Sequence, residues 1–324
     1  GEGWRVVRHD VPGRWPRPDR HACARLAEVL AAAPDGTTLV VDGLVASAAG
    51  DLIAPHTHRL RLVVLLHLPL GAGPSGDGDS PLAEVATQES AVLAAAAAVI
   101  TTSVWTRQWL LRHYRLRPER LHVAEPGVAP APVAPGTASG GQLLCVAAVT
   151  RSKGHDVLMT ALGTLAGGPW RLVSVGATDL EPAYVRELLH RAEEQGNADR
   201  VRFPGALTGS ALDEAYAAAD LLVLPSRGET YGMVVTEALS RGVPVVATSV
   251  GGLPATVGAG RNGDRPGLLV PPDDPQALAE ALRSWLADGE LRARLRAAAL
   301  QRRATLAGWP ATVARVSRVL AEVG

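Results

Sequence analysis

The chain has 324 residues, 47% of them hydrophobic, which is more than one ordinary core accommodates and suits two domains. Its 32 basic and 32 acidic residues cancel, so the composition excludes a nucleic-acid footprint and a polybasic membrane anchor. Two cysteines, Cys23 and Cys145, provide no disulfide framework, and no signal peptide is visible, so we expect a cytoplasmic protein.

The longest apolar run, Ser90 to Val99, is Ala-rich and far shorter than the roughly 20 residues that span a bilayer. We interpret this run as a core helix and expect no transmembrane segment, while peripheral contact with a membrane stays open. The chain begins at Gly1 rather than Met, so the sequence leaves open whether it is a fragment. The oligomeric state is likewise not predicted.

Short β-branched runs alternate with Ala-, Leu- and Arg-rich stretches in the first part of the chain. The amphipathic segment Ala22–Ala33 predicts a helix, and apolar runs predict strands at Thr38–Val41, Leu62–Leu66, Val99–Thr102 and Leu121–Val123. The next segment, Ala129–Gly141, is rich in Pro, Gly and Ser. We therefore predict a first domain at residues 1–128 and a linker at residues 129–141.

The alternation resumes after the linker, with six further strands predicted at Leu143–Val149, Arg171–Val175, Val201–Phe203, Leu221–Leu224, Val243–Ala247 and Gly267–Val270. Continuous apolar strands separated by helices are typical of parallel sheets covered on both faces. The predicted fold class is α/β, with two Rossmann-like, doubly wound parallel-sheet domains. The second domain spans residues 142–308, and a C-terminal helix at residues 309–324 is expected to pack back towards the first domain.

Two such domains leave a cleft, and ligands of doubly wound sheets bind at the carboxyl ends of the strands. Small and polar residues follow the predicted strand ends, at His67, Ser103, Gly127, Arg151–Gly154, Gly176, Pro225–Gly232 and Gly251–Gly252. Many α/β enzymes share this pattern, so it locates a site without identifying its chemistry.

The segment from Asp220 to Thr248 is the most informative part of the sequence. A strand is followed by a loop, Ser226–Tyr231, and by a helix that begins near Gly232. The free N–H groups and the dipole of such a helix favour a bound phosphate, and a glycine lets a diphosphate approach the backbone. Glu229 in the loop and Glu237 one turn into the helix would therefore face different parts of one ligand.

Lys153 is the only lysine among the 32 basic residues. In a composition rich in Ala, Arg and Gly, a lysine would normally have been replaced by arginine, which favours a functional role. The alternatives are a surface cation at Lys153, a favourable helix-start acid at Glu237 and a structural histidine at His67.

The spacing of Glu229 and Glu237, with Tyr-Gly-Met between them, resembles the E-x7-E signature of the retaining GT-B glycosyltransferases of family 4. The flanking ADLLVLPSR and SRGVPVVATSVGGLP, the upstream LLCVAAVTRSKGHDVLMTAL and the downstream GLLVPPDDPQALAEAL resemble that family in the same order. The resemblance covers about Leu62 to the C-terminus. It implies a GT-B fold, with an acceptor domain and a nucleotide-sugar donor domain that face each other across a cleft.

The resemblance also implies a role for each matching residue. Lys153 would neutralise the donor diphosphate, Glu229 would contact the donor sugar and Glu237 would bind the ribose hydroxyls. His67, at the end of a strand in VVLLHLPLG, matches the histidine that faces the anomeric centre. The implied catalytic residues are His67, Lys153 and Glu229, and the implied donor site comprises Arg151, Lys153, Gly176, Glu229, Thr230, Tyr231, Gly232, Met233, Val234 and Glu237.

The implied enzyme is a glycosyltransferase that retains the anomeric configuration by front-face displacement, which requires no protein nucleophile, no metal and no cofactor. Its demands are stabilisation of the leaving group and orientation of the substrates. The expected partners are a nucleotide sugar, as co-substrate, and a hydroxyl acceptor that the sequence does not specify. Neither the base nor the sugar of the donor is predicted.

The sequence departs from the family pattern at two places. Ala147 and Ala148 stand where the family usually has Gly-Arg, and Arg151 is the candidate to replace that missing charge. We also find no strand with a Gly-Gly turn ahead of His9, so the first domain is expected to be incomplete. These departures favour an alternative, a degenerate GT-B subunit that binds nucleotide or a partner protein without turnover. A phosphorylase is disfavoured, because the chain has no second lysine for pyridoxal phosphate.

Overall fold

The computed structural model describes residues 3–72, 81–165 and 167–324. The chain forms two compact units. The N-terminal unit comprises residues 1–127 and 309–324, and the C-terminal unit comprises residues 128–308. Each unit is built around one parallel sheet, which confirms the predicted α/β class.

The N-terminal unit has four parallel strands in the order β1-β2-β3-β4. Its elements before residue 128 are α1 (Arg20–Ala32), β1 (Thr38–Asp42), α2 (Gly43–Ala48), α3 (Gly50–Ile53), β2 (Arg61–Leu66), α4 (Pro81–Ala95), β3 (Ala98–Thr101), α5 (Val104–His113) and β4 (Leu121–Val123).

The C-terminal unit has six parallel strands in the order β7-β6-β5-β8-β9-β10. Its elements are β5 (Gln142–Val146), α6 (His155–Gly163), β6 (Arg171–Val175), α7 (Pro182–Glu194), β7 (Val201–Gly205), α8 (Gly209–Ala217), β8 (Leu221–Leu224), α9 (Met233–Ser240), β9 (Val245–Thr248), α10 (Leu253–Val257), β10 (Gly267–Val270), α11 (Pro275–Ala287) and α12 (Gly289–Arg303). A last helix, α13 (Trp309–Val323), belongs to the N-terminal unit.

Burial on both faces explains why the central strands are continuously apolar. In β8, Leu221 and Val223 join one hydrophobic cluster, while Leu222 and Leu224 join the cluster on the opposite face. Successive side chains of a strand point to opposite faces, so each of these four residues packs against the helices on one face of the sheet. Burying an aliphatic side chain of this size stabilises the fold by roughly 1.5–3 kcal/mol.

Helix α13 covers one face of the sheet in the N-terminal unit. Val319 is buried in a cluster with Val63, Ala98 and Ile100, and the Thr312 hydroxyl donates to the carbonyl of Glu125 at 2.7 Å. The C-terminal helix is therefore part of the core of the N-terminal unit.

The Pro- and Gly-rich segment at residues 129–141 has no helix or strand but is attached to the C-terminal unit. The carboxylate of Asp220, which is 4% exposed, accepts hydrogen bonds from the Thr137 hydroxyl at 2.6 Å and from the backbone N–H of Gln142 at 2.8 Å. One buried carboxylate thus holds the segment against the start of β5.

The interpretation of Ser90 to Val99 as one core helix is wrong. Helix α4 ends at Ala95, and strand β3 begins at Ala98. Alanine packs well in both kinds of element, so a run of alanines does not show the change of period where the helix ends. The strand predicted from Val243 begins two residues later, after Pro244, which has no N–H group to donate to a neighbouring strand.

His155 is a buried polar residue in the core of the C-terminal unit. It is 1% exposed at the start of α6, and its Nε2 lies 3.1 Å from the Ser174 hydroxyl and 3.7 Å from the Cys145 sulfur. Burial lowers the pKa of His155 to about 4, and the nearby charge of Asp156 opposes this shift only in part. The residue is therefore neutral in the folded protein throughout the physiological range.

Acidification should destabilise the protein through His155. Because its pKa is lower in the folded state than the ordinary 6.5, the unfolded state binds more protons between these values, so stability is lost as the pH falls through this window. We expect the parent to lose about 2 kcal/mol more than the His155→Gln variant when the pH falls from about 7 to about 5. Urea unfolding at both pH values measures this difference; equal losses in parent and variant would contradict it.

Candidate functional site

The C-terminal unit contains a topological switch point between β5 and β8. These two strands are hydrogen-bonded neighbours, with Leu143 opposite Leu221 and Leu144 opposite Leu222. The chain winds outward from β5 to β7 and then crosses to β8 and onward to β10. The loops that follow β5 and β8 therefore lie side by side at the carboxyl edge, which is where ligands of doubly wound sheets bind.

Lys153 and Glu229 meet at this switch point. The Lys153 Nζ lies 2.5 Å from Glu229 Oε1, and the Ser226 hydroxyl donates to the same oxygen at 3.2 Å. The side chains of Lys153 and Glu229 are 27% and 16% exposed, respectively. The structure thus brings together two residues that are 76 positions apart in the sequence.

The backbone at Gly154 allows this approach. Arg151–Lys153 forms a single 3-10 turn that ends at Gly154, whose φ is 69°. A Cβ at Gly154 would lie 2.0 Å from the carbonyl oxygen of Pro225. The left-handed conformation therefore favours a glycine, and the contact between the two loops requires one.

The loop that carries Glu229 rests on the backbone that follows β9. The N–H of Gly252 donates to the Glu229 carbonyl at 2.9 Å. A Cβ on Gly251 would lie 1.8 Å from the same carbonyl oxygen, and a Cβ on Gly252 would lie 2.1 Å from that of Thr230. The Gly251-Gly252 pair therefore determines how closely the loop, including Thr230 and Tyr231, approaches the backbone that follows β9.

Helix α9 begins at the end of the same loop. Gly232, with φ 84°, is its N-cap and offers no capping side chain, and Met233 and Val234 are its first residues. The first N–H groups of a helix have no partner within the helix, and its dipole places partial positive charge there. The start of α9 is thus a place where an anion is stabilised.

Glu237 lies one turn into α9, and Tyr216 holds its carboxylate. The Tyr216 hydroxyl donates to Glu237 Oε2 at 2.7 Å, and the Arg241 guanidinium stacks over the Tyr216 ring at 4.7 Å. Burial and the neighbouring Glu237 charge raise the pKa of Tyr216. Its hydroxyl therefore stays protonated and orients Glu237.

Arg151 and Gly176 are positioned differently from the acidic residues. The Arg151 guanidinium lies on α7, 2.8 Å from Glu187 and 4.7 Å from the Tyr184 ring centroid. Its charge is therefore engaged away from Lys153. Gly176 follows β6, where a Cβ would lie 1.9 Å from the Ala147 carbonyl oxygen, so this glycine admits the close passage of that backbone.

His67 belongs to the N-terminal unit, where it follows β2. Its side chain is 56% exposed, and its Nε2 lies 3.4 Å from a carboxylate oxygen of Asp42. The other oxygen of Asp42 accepts from the Leu44 N–H at 2.9 Å and so caps α2. The carboxyl ends of β1 and β2 thus bring His67 and Asp42 together.

Four residues that support the site have no role predicted from the sequence, although Arg227 lies within the predicted loop Ser226–Tyr231: Tyr216, Asp156, Arg227 and Asp273. Each acts through a side-chain contact with a residue far away in the chain, so no local spacing reveals it. The one signal available was the presence of an arginine within the loop that carries Glu229.

Within the part of the chain that the structure describes, no group of three or more His, Cys, Asp or Glu side chains is arranged to hold a metal ion. Across the same described residues, no helix is both long enough and apolar enough to cross a membrane.

The fold is that of the GT-B glycosyltransferases. The structure matches sucrose-phosphate synthase from Thermosynechococcus elongatus with a TM-score of 0.77 at 26% identity, over 93% of this chain and 78% of that chain. It matches HepE from Anabaena, solved in complex with UDP and glucose, with a TM-score of 0.76 at 22% identity, over 93% and 81% of the two chains.

The chain belongs to the family of glycosyl transferases group 1, whose sequence pattern matches residues 139–302. It is 34% identical over 305 residues to D-inositol 3-phosphate glycosyltransferase 1 of Catenulispora acidiphila, which covers 86% of this chain and 68% of that protein. It is also 38% identical over 180 residues to the D-inositol 3-phosphate glycosyltransferase of Xylanimonas cellulosilytica, covering 56% and 42%, respectively. A third relative is the lipopolysaccharide core mannosyltransferase LpsB of Rhizobium meliloti, 35% identical over 157 residues, which cover 48% and 43%.

The chain therefore falls within the enzyme class of the glycosyltransferases, the activity that the names of these relatives share. It aligns with about two thirds of the first relative but with less than half of the other two.

Substitution at Gly154 should be costly, because an added Cβ would meet the Pro225 carbonyl. We expect Gly154→Ala to lower the free energy of unfolding by more than about 2 kcal/mol, of which roughly 1 kcal/mol reflects the left-handed backbone. Gly196 is the matched control: its φ is 68° and nothing lies within 4 Å of its ideal Cβ. Gly196→Ala should therefore carry the backbone cost alone. Chemical denaturation measures both; equal losses would show that the contact with Pro225 is relieved freely.

Proposed function

We propose that the chain transfers a sugar from a nucleoside-diphosphate sugar to a hydroxyl acceptor, with retention of the anomeric configuration and without a metal ion. The observation that carries this proposal is the Lys153–Glu229 pair at the switch point, beside the start of α9. A cation, a carboxylate and a helix N-terminus at one sheet edge match the parts of such a donor.

Lys153 and the first N–H groups of α9 are the groups proposed to bind the diphosphate. The ammonium of Lys153 supplies a full positive charge, and the helix start adds partial charge. These groups oppose the negative charge that develops on the departing nucleotide, which is the main requirement of the reaction. In this proposal Gly176, Thr230, Tyr231, Met233 and Val234 line the donor through their backbone.

Two carboxylates are proposed to read the two sugars of the donor. Glu229, which contacts Lys153, accepts hydrogen bonds from hydroxyls of the transferred sugar. Glu237, oriented by Tyr216, accepts from the ribose hydroxyls. Because Glu229 lies in the loop and Glu237 in helix α9, the two carboxylates are proposed to hold different parts of the donor and so to fix its orientation.

The proposed reaction proceeds on one face of the sugar. The bond between the anomeric carbon and the diphosphate oxygen breaks, and the acceptor oxygen forms its bond on the same face. The acceptor proton passes to the departing phosphate oxygen, so no protein nucleophile takes part. His67 is proposed as a further catalytic residue because it matches the histidine of the family, and Lys153 stabilises the leaving group.

A polyol phosphate is the first acceptor to test. Two of the relatives described above are named D-inositol 3-phosphate glycosyltransferases, and this proposal carries that acceptor class to the present chain.

Cys23 and Cys145 are both free thiols, and a reducing cytoplasmic location is part of the proposal.

The ion pair between Arg151 and Glu187 favours one alternative function for the chain. With Ala147 and Ala148 at the end of β5, and Arg151 paired with Glu187, Lys153 is the one side-chain cation that we assign to the diphosphate. Loss of a charged hydrogen bond costs about 1.5–3 kcal/mol. A protein that binds nucleotide without turnover is therefore the alternative, and product formation distinguishes the two.

A panel of UDP, GDP, ADP and TDP should reveal the donor base. A ligand that binds only the folded state stabilises it by about 2.7 kcal/mol at a hundredfold excess over its Kd, so the matching nucleotide should raise the Tm. Lys153→Ala should weaken its affinity by about 10- to 150-fold, the equivalent of a charged hydrogen bond. Glu237→Ala should lower the affinity for both the nucleotide and its nucleoside. If no nucleotide shifts the Tm of the parent, the proposed donor site is wrong.

The stereochemical outcome and the metal dependence can be measured together. With the donor that the panel selects and inositol phosphate as acceptor, NMR of the product should show the anomeric configuration of the donor. Addition of EDTA should leave the initial rate unchanged, since Lys153 and the helix N-terminus supply the positive charge. Inversion, or loss of activity that Mg²⁺ restores, would refute the corresponding part of the proposal.

A further inference from the structure

Arg227 connects three segments at the carboxyl edge of the C-terminal sheet. Its guanidinium forms a bidentate pair with Asp156 on α6, at 3.0 and 2.9 Å, and its Nε donates to Asp273, after β10, at 2.6 Å. It also donates to the Arg151 carbonyl, and its backbone N–H donates to the Ser152 carbonyl at 2.9 Å. One residue of the Glu229 loop therefore holds the turn that carries Lys153.

Asp273 is held in an unusual backbone conformation at this contact. Its φ is 55°, and among the described residues it is the one non-glycine with a positive φ. Such a conformation has a cost in free energy that the surrounding contacts must offset. Here the offset is visible, because the conformation accompanies a short ion pair with Arg227.

The charges around Arg227 show that it is already neutralised. Asp156 and Asp273 contribute two negative charges against its single positive charge, and Arg227 is 26% exposed. Burial raises the pKa of Asp156, but hydrogen bonds from Arg227 and Tyr184 outweigh this effect and lower it to about 2. The carboxylate of Asp156 therefore stays ionised, and the guanidinium of Arg227 is committed to the two carboxylates and to the Arg151 carbonyl.

We propose that Asp156, Arg227 and Asp273 form an ion-pair clamp that fixes the position of Lys153 relative to Glu229. Arg227 is then a positioning residue and does not itself bind the diphosphate. This inference rests on the proposed donor site. It predicts that breaking the clamp displaces the Lys153 turn and weakens binding of the diphosphate, while the ribose contact of Glu237, which Tyr216 orients from α8, is unaffected.

The decisive variants are Asp273→Asn and Arg227→Lys, with Asp10→Asn as a control that weakens an exposed ion pair, Arg8–Asp10 at 2.7 Å, in the N-terminal unit. The probes are the nucleoside diphosphate that gives the largest Tm shift and its free nucleoside. We expect both clamp variants to lower the affinity for the nucleoside diphosphate about fivefold to tenfold. The affinity for the free nucleoside should stay within about twofold of that of the parent. Tyr216→Phe should lower the affinity for both probes by the same factor, and Asp10→Asn should change neither affinity.

The sign of the Asp273→Asn effect tests the inference directly. If Arg227 were itself a diphosphate ligand, removing a competing carboxylate would strengthen binding, which overturns the clamp. Unchanged diphosphate affinity, or equal weakening of both probes, overturns it as well. If Lys153→Ala leaves the diphosphate affinity unchanged, the proposed function fails. If Lys153→Ala weakens binding and Asp273→Asn does not, only the clamp fails. Arg227→Lys that does not fold leaves Asp273→Asn, at a 58% exposed position, to decide.

Discussion

The parallel pairing of β5 with β8 is the constraint on which the candidate site depends. It places the loop after the first strand of the C-terminal unit beside the loop after the fourth, so that Lys153 reaches Glu229. Both strands are nearly continuous in apolar residues because both faces of the sheet are covered by helices. The hydrophobic effect thus fixes the two strands, and their loops carry the charges to a common edge.

Contacts between backbones then define the shape of that edge. Gly154, Gly251 and Gly252 each lie where a Cβ would meet a carbonyl oxygen of the Pro225–Thr230 segment. Two separate loops are therefore packed at backbone-to-backbone distance against one segment. Side chains adjust by changing rotamers, whereas backbones packed in this way do not, so the position of Glu229 is set by the fold itself.

The sequence was sufficient to predict most strands and the residues at their ends, because those signals are local. Leu221–Leu224 is a run of four apolar residues that the structure shows as a strand with the same bounds. The boundary between α4 and β3 was missed, because alanine does not distinguish a helix from a strand there. The family resemblance assigned Lys153 and Glu229 to one donor site, but their direct contact was not predicted, because local spacing does not reveal a contact across 76 positions. Tyr216 and the partners of Arg227 were out of reach, since tertiary contacts between side chains leave no periodic pattern.

The single lysine of this chain has a consequence for its chemistry. An ammonium is compact and carries its charge on one atom, whereas a guanidinium spreads its charge over a planar fork. In the 2.5 Å contact with Glu229, this single-atom charge lies beside one carboxylate oxygen. Because Lys153 is the only lysine of this chain, a reagent that acylates amines labels one side chain in it. The degree of that labelling is an intrinsic reporter of whether the Lys153–Glu229 pair is open or closed.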